Sequence, residues 1–404
     1  MKIVIISTYF GQEHHGGAAV STRLLVDELK KDHDVYILTS TKKEVPGYNT
    51  IPLRFFKRFP SLILRLDFRV IYNALAKDIE KALKEIKPDI VHIQEFEMMV
   101  STIKVTSKLN IPTIVTARDH RFVCSMPCCE AKGILRFKCS RFQQLKCLMG
   151  LSKKQFGFAL PGFIIFPLMM NKTKAFRKYV RKADFVIAIS DFLKNNLIKI
   201  GVDKEKIKTI YNPAPNWKTT KTKKNKKLTI FAPGRLEDYK GFHILIKTFN
   251  QIIKENKDVR LIITGTGSYE YNLKKLTNRL NLNDNIEFTG KQPYEKLKEL
   301  YFNSDIVAFP SIWPESFGRV SIEAMAAGKP IIASRVGGIP EVVTKDVGIL
   351  VKPNDVEELT KAIVRLIKNP KLRKSMGKKG LTYVKKFNKK DYCRDVIDVY
   401  NTNR

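Results

Sequence analysis

At 404 residues the chain is too long for one ordinary domain and suits two of about 200 residues each. Lys and Arg outnumber Asp and Glu by 74 to 39, and the resulting formal charge of +35 is far above what solubility requires. Such an excess excludes a purely neutral set of partners and leaves two polyanions to choose between, nucleic acid and an anionic membrane. Apolar residues suffice for two buried cores.

In chain order, Lys2–Ser7 reads as a buried strand and not as the long apolar core of a secretory signal, which makes the cytoplasm the expected compartment. A loop carrying Gly16 and Gly17 leads to a helix over 18–31 and a strand over 35–39, the strand-helix-strand unit of a parallel sheet. Glycines there permit close backbone approach to a ligand at the sheet's carboxyl edge, although a Gly-Gly pair by itself marks a turn more often than a site. A helix over 66–86, a strand over 90–93, a helix over 98–109 and a strand over 113–116 continue the alternation. The last strand delivers Arg118, Asp119 and His120 to the edge where ligands of doubly wound sheets collect.

Five of the six cysteines fall at Cys124, Cys128, Cys129, Cys139 and Cys147. Such clustering suggests a metal site or a thiol cluster before disulfides, but the paired Cys-x2-Cys spacing of zinc knuckles is missing, so no metal ligand is assigned. Between Arg121 and Lys182 fourteen Lys or Arg and one acid, Glu130, surround the uncharged run Phe156–Met170. That run, broken by Pro161 and Pro167, is too short to span a bilayer. A basic, Phe-rich, kinked segment suits the headgroup layer of an anionic membrane. An ordinary core segment with a solvated basic face is the competing reading, and a nucleic-acid surface would leave the clustered apolar side chains unexplained.

A strand over 184–190, a helix over 191–200 closed by Gly201 and a short strand over 208–211 complete the first half. Six Lys and no apolar side chain between Lys218 and Lys227 mark a solvated connection. The expected domains are 1–205, with a basic insertion over 121–182, and 228–385, joined by a linker over 206–227 and followed by a last helix from 386.

The second half restarts with a strand over 228–232 that leads into Gly234-Arg235-Leu236-Glu237-Asp238-Tyr239-Lys240-Gly241. Arg235 and Lys240 emerge together from a strand's carboxyl end, where two cations can neutralise a diphosphate without a divalent metal. A strand over 261–264 ends in Gly265, Thr266 and Gly267, small residues suited to nucleotide approach. A strand over 305–309 empties into a loop bearing Trp313 and Glu315, and a helix over 317–327, stopped by Gly328, carries Glu323. The amides of Phe317, Gly318, Arg319 and Val320 precede any intrahelical acceptor and form an anion seat between two carboxylates. Taken alone, Glu315 is a helix-start residue and Glu323 a solvated one. Beside an anion seat both are placed to take the hydroxyls of a sugar carried on a diphosphate. Helices over 355–367, 370–386 and 390–400 end the chain.

The run Phe309–Gly328 with its Glu-x7-Glu pair, continued from Pro330 to Glu341, resembles the signature of the family-4 retaining glycosyltransferases. The Gly-Arg-Leu-x3-Lys-Gly frame over 234–241 is similar to their donor-diphosphate motif, and the resemblance covers nearly the whole chain. It implies the α/β fold called GT-B, two Rossmann-like doubly wound domains facing each other across a cleft. It implies sugar transfer from a nucleotide-diphosphate donor to a glycan or lipid-linked acceptor with retention of configuration, without a cofactor. The leaving diphosphate would itself assist the acceptor's proton, so the protein's share is charge stabilisation and positioning.

Residue by residue, the resemblance puts Arg235 and Lys240 on the diphosphate with the amides of 317–320, Glu315 on the donor sugar and Glu323 on the ribose. Gly16 and Gly17 fall at the donor–acceptor cleft, and the strand over 286–290 frames the base. Arg118 and Asp119 stand where family members carry His-Asp, so a role that needs an imidazole does not transfer to Arg118, which can still place a cation beside the donor; His120 is the alternative imidazole or, equally, a surface histidine. The last helix is expected to cross back to the first domain. Expected partners are a nucleotide-sugar donor, the acceptor and an anionic membrane surface at the inner face, with no nucleic acid. A nucleotide-sugar epimerase of the same fold and a non-catalytic membrane-bound partner of another transferase are the rival readings. The set of Arg235, Lys240, Glu315 and Glu323 argues against both. Donor base, donor sugar and acceptor are not legible, because the acceptor is met by variable loops.

Overall fold

The computed structural model of the protein describes residues 1–11, 17–41, 43–55, 69–123, 173–217 and 227–402. Gly16, the cysteines from Cys124 to Cys147, the apolar run Phe156–Met170 and nearly all of the Lys-rich connection lie outside the described residues. The chain divides into two compact units.

The first unit holds the described residues up to Asn212 together with the chain from Lys389 onward. Its strands are β1 (Lys2–Ser7), β2 (Asp34–Thr39), β3 (Asn49–Pro52), β4 (Ile90–Ile93), β5 (Thr113–Ala117), β6 (Phe185–Ala188) and β7 (Ile207–Thr209). They form one parallel sheet in the order β3-β2-β1-β4-β5-β6-β7. Helices α1 (Gly17–Leu29), α2 (Arg69–Ile86), α3 (Met99–Leu109), α4 (173–180) and α5 (Asp191–Lys199) connect them. Ile3, Val4, Ile5 and Ile6 are all fully buried, which explains the unbroken apolar run of β1: a parallel sheet is covered on both faces. The start of α5 is set locally, since Ser190 Oγ accepts from the Leu193 amide at 3.1 Å and Asp191 sits in the first turn.

The linker expected from residue 206 begins later than the sequence suggested. Ile207–Thr209 is β7, paired with β6, and the change of unit falls between Asn212 and Pro213. Strand β3 escaped the sequence pattern because Asn-Thr-Ile-Pro is short and ends in a proline, which only an edge strand accommodates.

The second unit spans Pro213–Asn388. Strands β8 (Leu228–Pro233), β9 (Val259–Thr264), β10 (Ile286–Gly290), β11 (Ile306–Phe309), β12 (Ile331–Ser334) and β13 (Gly348–Val351) form a parallel sheet ordered β10-β9-β8-β11-β12-β13. Its helices are α6 (Phe242–Glu255), α7 (Glu270–Arg279), α8 (Tyr294–Phe302), α9 (Arg319–Ala326), α10 (Ile339–Val342), α11 (Val356–Lys368) and α12 (Pro370–Tyr383). The core gathers Ile230, Phe249, Leu261, Ile306 and Ile363, all fully buried. Among the described residues no helix is long and apolar enough to cross a membrane.

The last helix, α13 (Lys389–Thr402), packs into the core of the first unit through Tyr392, Cys393, Val396, Val399 and Tyr400. Tyr400 Oη lies 2.6 Å from Nδ1 of His92 in β4, whose Nε2 is 2.7 Å from Thr116 Oγ1 of β5. Burial, with Arg118 nearby, lowers the His92 imidazole to about 3, so the ring is neutral and each nitrogen needs a polar partner. Gln94 Nε2 lies 3.1 Å from both ring nitrogens, so Tyr400→Phe removes one of two neighbours of Nδ1 and should cost about 1 kcal/mol of unfolding free energy in urea titration, the typical net worth of one hydrogen bond. An unchanged midpoint would show that α13 does not anchor this network.

Candidate functional site

Each sheet reverses its winding direction once, between β1 and β4 in the first unit and between β8 and β11 in the second. In doubly wound folds the loops leaving two such adjacent strands diverge and open a crevice beyond the strand ends. The residues singled out in the second half of the sequence lie at the second of these points.

After β8 a short 3-10 turn, Asp238–Lys240, ends at Gly241 in the left-handed conformation. A Cβ at Gly241 would sit 2.0 Å from the Pro310 carbonyl oxygen, so only glycine lets the β8 loop lie against the β11 loop. The amides of Ile312 and Trp313 donate to the Tyr239 carbonyl at 3.0 and 3.2 Å, tying the two loops together. Lys240 Nζ consequently lies 2.5 Å from Glu315 Oε1, with both side chains 13% exposed. Ser311 Oγ donates to the same oxygen at 2.6 Å. The backbone of Glu315 is held from a third side, because the Gly338 amide donates to its carbonyl at 2.7 Å and a Cβ at Gly337 would collide with it at 2.0 Å.

Gly318 turns the chain into α9 with φ of +86°, two residues later than the sequence pattern suggested. Glu323 is thus a little more than one turn inside the helix. It is not solvated: Tyr301 Oη donates to Oε2 at 2.7 Å, Arg319 Nε lies 3.3 Å from Oε1, and the carboxylate is 13% exposed. A carboxylate has about four acceptor positions. Both glutamates therefore keep capacity for ligand hydroxyls. Phe317 is buried with its ring edge-to-face on Phe387, so its side chain is scaffold, and what the turn offers to a ligand is backbone. The Arg319 and Val320 amides stand in the first turn of α9, ahead of the Ser321 amide, which already donates to the Gly318 carbonyl.

Arg235 is exposed on the loop after β8. Gly265 has a structural reason to be glycine beside the one the sequence suggested: its Cβ would fall 1.9 Å from the Gly234 carbonyl oxygen, so its smallness admits the neighbouring loop.

At the first switch point the expected residues are arranged otherwise. Gly17 is the first residue of α1. Arg118 donates from Nη1 to Asn212 Oδ1 at 2.8 Å and from Nη2 to Gln94 Oε1 at 2.5 Å, so its guanidinium is engaged within the unit. Asp119 accepts from the Arg121 amide at 2.9 Å and pairs with the Arg121 guanidinium at 2.6 Å. Burial raises that carboxyl, but the Arg121 charge and hydrogen bonds outweigh it and hold Asp119 below the ordinary range. Arg121 also binds Glu97. His120 is no surface histidine; it is buried with its ring edge-to-face on Phe192.

The residue that the sequence reading missed is Glu95. It lies two residues past β4, is buried, and accepts from Ser7 Oγ at 3.1 Å and the Thr8 amide at 3.0 Å, which fixes the exit of β1. Burial, reinforced by Glu97 and opposed by Arg118, pushes its carboxyl up to about 7. Its position at the end of a buried strand was the available signal.

No group of three or more His, Cys, Asp or Glu that could hold a metal occurs among the described residues.

Residues 214–382 match the family model described as glycosyl transferases group 1, and residues 15–146 the model described as glycosyltransferase family 4. An uncharacterized glycosyltransferase of Methanocaldococcus jannaschii is 33% identical over 231 residues, 54% of this chain and 59% of that protein. A GDP-mannose-dependent monoacylated alpha-(1-6)-phosphatidylinositol monomannoside mannosyltransferase of Corynebacterium glutamicum is 35% identical over 156 residues, 37% of this chain and 40% of that protein. The chain thus spans about half the length of these curated relatives. The crystal structure of Anabaena HepE in complex with UDP superposes with a TM-score of 0.71 at 18% identity, covering 100% of both chains, a likeness of fold and of the GT-B type.

The raised carboxyl of Glu95 has a stability consequence. Its folded-state value of about 7 lies above the ordinary 4.5, so the native state keeps a proton that the unfolded chain has lost. The contribution of Glu95 is most favourable below pH 4.5 and declines as pH rises through 7. Glu95→Gln removes this titration while keeping an acceptor for Thr8. Unfolding free energies from urea titrations at pH 5 and pH 8 should fall less with rising pH in the variant than in the wild type, by up to roughly 3 kcal/mol. Parallel slopes in the two proteins would refute the assignment.

Proposed function

We propose that this chain, which belongs to the group 1 glycosyltransferases of the GT-B fold, transfers a sugar with retention of configuration from a nucleotide-diphosphate donor to a glycan or lipid-linked acceptor. The observation that carries the reading is the Lys240–Glu315–Ser311 cluster at the second switch point, next to the first turn of α9. Arg235, Lys240 and the amides of Arg319 and Val320 receive the diphosphate as it leaves. Glu315 takes donor-sugar hydroxyls, and Glu323, oriented by Tyr301 and Arg319, takes the ribose.

In this scheme Lys240 exchanges one anion for another. Without donor its charge is balanced by Glu315; with donor it turns to the phosphates while Ser311 keeps Glu315 in place. Charge stabilisation by preorganised donors is then the main source of rate, with the leaving diphosphate itself receiving the acceptor's proton. The UDP in the HepE structure and the phosphatidylinositol acceptor in the corynebacterial name support a nucleotide donor and a lipid-borne acceptor. The charge of +35 supports a cytoplasmic protein peripheral at the inner membrane face. No cofactor or metal is part of the reading.

Two outcomes test it. Arg235 is exposed, so Arg235→Ala should unfold like the wild type yet lose about 10²-fold or more in turnover at saturating donor, the typical weight of one preorganised charge contact. Lys240→Ala should lose turnover and stability together, because it leaves Glu315 as a buried unpaired charge. Normal turnover in Arg235→Ala would remove it from the diphosphate site. Second, transfer of sugar from a panel of nucleotide sugars should persist in excess EDTA, since the cations and the helix amides supply the charge that Mg²⁺ supplies elsewhere. Complete loss restored by Mg²⁺ would contradict the proposed site.

A further inference from the structure

We infer that the outer face of α12 and the turn after it is a docking surface for an anionic lipid bilayer, placed directly behind the helix that carries Glu323. The inference deepens the membrane part of the proposed function and rests on residues other than the basic insertion over 121–182. From Lys361 to Lys390 the sequence holds twelve Lys or Arg and no Asp or Glu. The structure sorts these cations. Arg373 is spent on the carbonyls of Leu366 and Ile367 at the end of α11, Lys379 pairs with Asp346 at 2.7 Å, and Lys389 pairs with Glu28 at 3.3 Å.

Of the other nine, all exposed and, among the described residues, without a carboxylate at ion-pair distance, Lys371, Lys374, Lys378 and Lys385 fall on the outer side of α12 and the turn after it. Steps of three, four and seven residues set them in one line along the helix and the 3-10 turn Val384–Phe387 that continues it. Leu381, 43% exposed, stands at the border between this line and the buried face, with its side chain beside Gly328.

The orientation of this line is fixed by the opposite face. There Met376, Gly377 and Gly380 are buried; a Cβ at Gly377 would lie 2.1 Å from the Gly328 carbonyl oxygen, and one at Gly380 would lie 3.3 Å from Met325 Cγ. α12 is thus seated by its glycines against the end of α9 and cannot roll. Of the nearest acids in sequence, Glu357 and Glu358 stand at the far end of α11, and Asp391, at the start of α13, is paired with Arg394 at 2.7 Å. A straight row of unpaired ammonium groups with one exposed leucine matches a flat anionic surface with an apolar layer beneath it, and lysine stems can lie along that boundary. Nucleic acid would satisfy the charges but gives Leu381 no role.

The test uses the full chain and vesicles of phosphatidylcholine and phosphatidylglycerol at about 2:1, with pure phosphatidylcholine as reference. The wild type should float with the anionic vesicles only, and less so as salt is raised. The quadruple variant K371E, K374E, K378E and K385E should partition at least about tenfold more weakly. A control, K254E, K257E, K275E and R279E, carries the same net charge and reverses exposed cations on α6, the turn from α6 to β9, and α7; it should stay within about twofold of the wild type. Equal loss in both variants would reduce the effect to net charge and overturn the surface. So would an unchanged stripe variant, a wild type that ignores anionic vesicles, or a stripe variant that loses a labelled oligonucleotide but keeps the vesicles. Should the reversal fail to fold by circular dichroism, Lys→Gln at the same four positions gives the same comparison. UDP and GDP binding, measured by calorimetry on the same proteins, reports separately on the sugar-transfer reading, so that either can fail without the other.

Discussion

The contact between Lys240 and Glu315 is the constraint around which the second unit is arranged. Two like loops leave adjacent strands at the point where the sheet changes winding, and an ion pair with both partners 13% exposed forms only if those loops approach within a side chain's reach. Removing two charges from water is costly unless the geometry is close and further hydrogen bonds assist. Ser311 gives one such bond, and Gly241 and Gly337 let the backbones come near enough. A polar cluster of this kind, in a crevice that doubly wound sheets use for ligands, is better suited to exchanging partners with a charged substrate than to adding stability.

The first unit shows a different solution at the equivalent point. There the carboxyl at the end of β4 is Glu95, and its partners are a hydroxyl and an amide, not a cation. Without a positive partner burial dominates and the proton is held to about 7, whereas Glu315 shares its oxygen with an ammonium. The two crevices therefore carry different charge near neutrality: a compensated ion pair in one, a partly protonated acid in the other. Arg118 makes no hydrogen bond to Glu95; its guanidinium is turned to Gln94 and Asn212 and ties the loop after β5 to the residues that follow β4 and β7.

The closing helix α13 and the basic helix α12 follow each other in sequence yet serve different units. Tyr400 and Val396 fill the core of the first unit, so that unit is made from both ends of the chain. α12 is held to α9 by glycines, an arrangement that requires backbone contact and leaves its lysines outward. Both follow from where small and apolar residues fall on the helices, and neither is a property of charge.

Periodicity and turn residues in the sequence settled most of the strand and helix order, because buried parallel strands are unbroken apolar runs and glycines end helices at defined places. The motif residues Arg235, Lys240, Glu315 and Glu323 were also legible, since their spacing fixes where they sit relative to a strand end or a helix start. Short edge strands such as β3 were not, for too few residues carry the signal. Only the tertiary structure could decide pairings that depend on long-range approach: that Lys240 meets Glu315, 75 residues away, that Tyr301 rather than water binds Glu323, and that Arg118 faces Asn212. It alone showed that Gly265 makes room for a neighbouring carbonyl and that Glu95 is buried with a hydroxyl and an amide as hydrogen-bond partners. A residue's own neighbours in sequence set its backbone, but its protonation and partners are set by what the fold brings beside it.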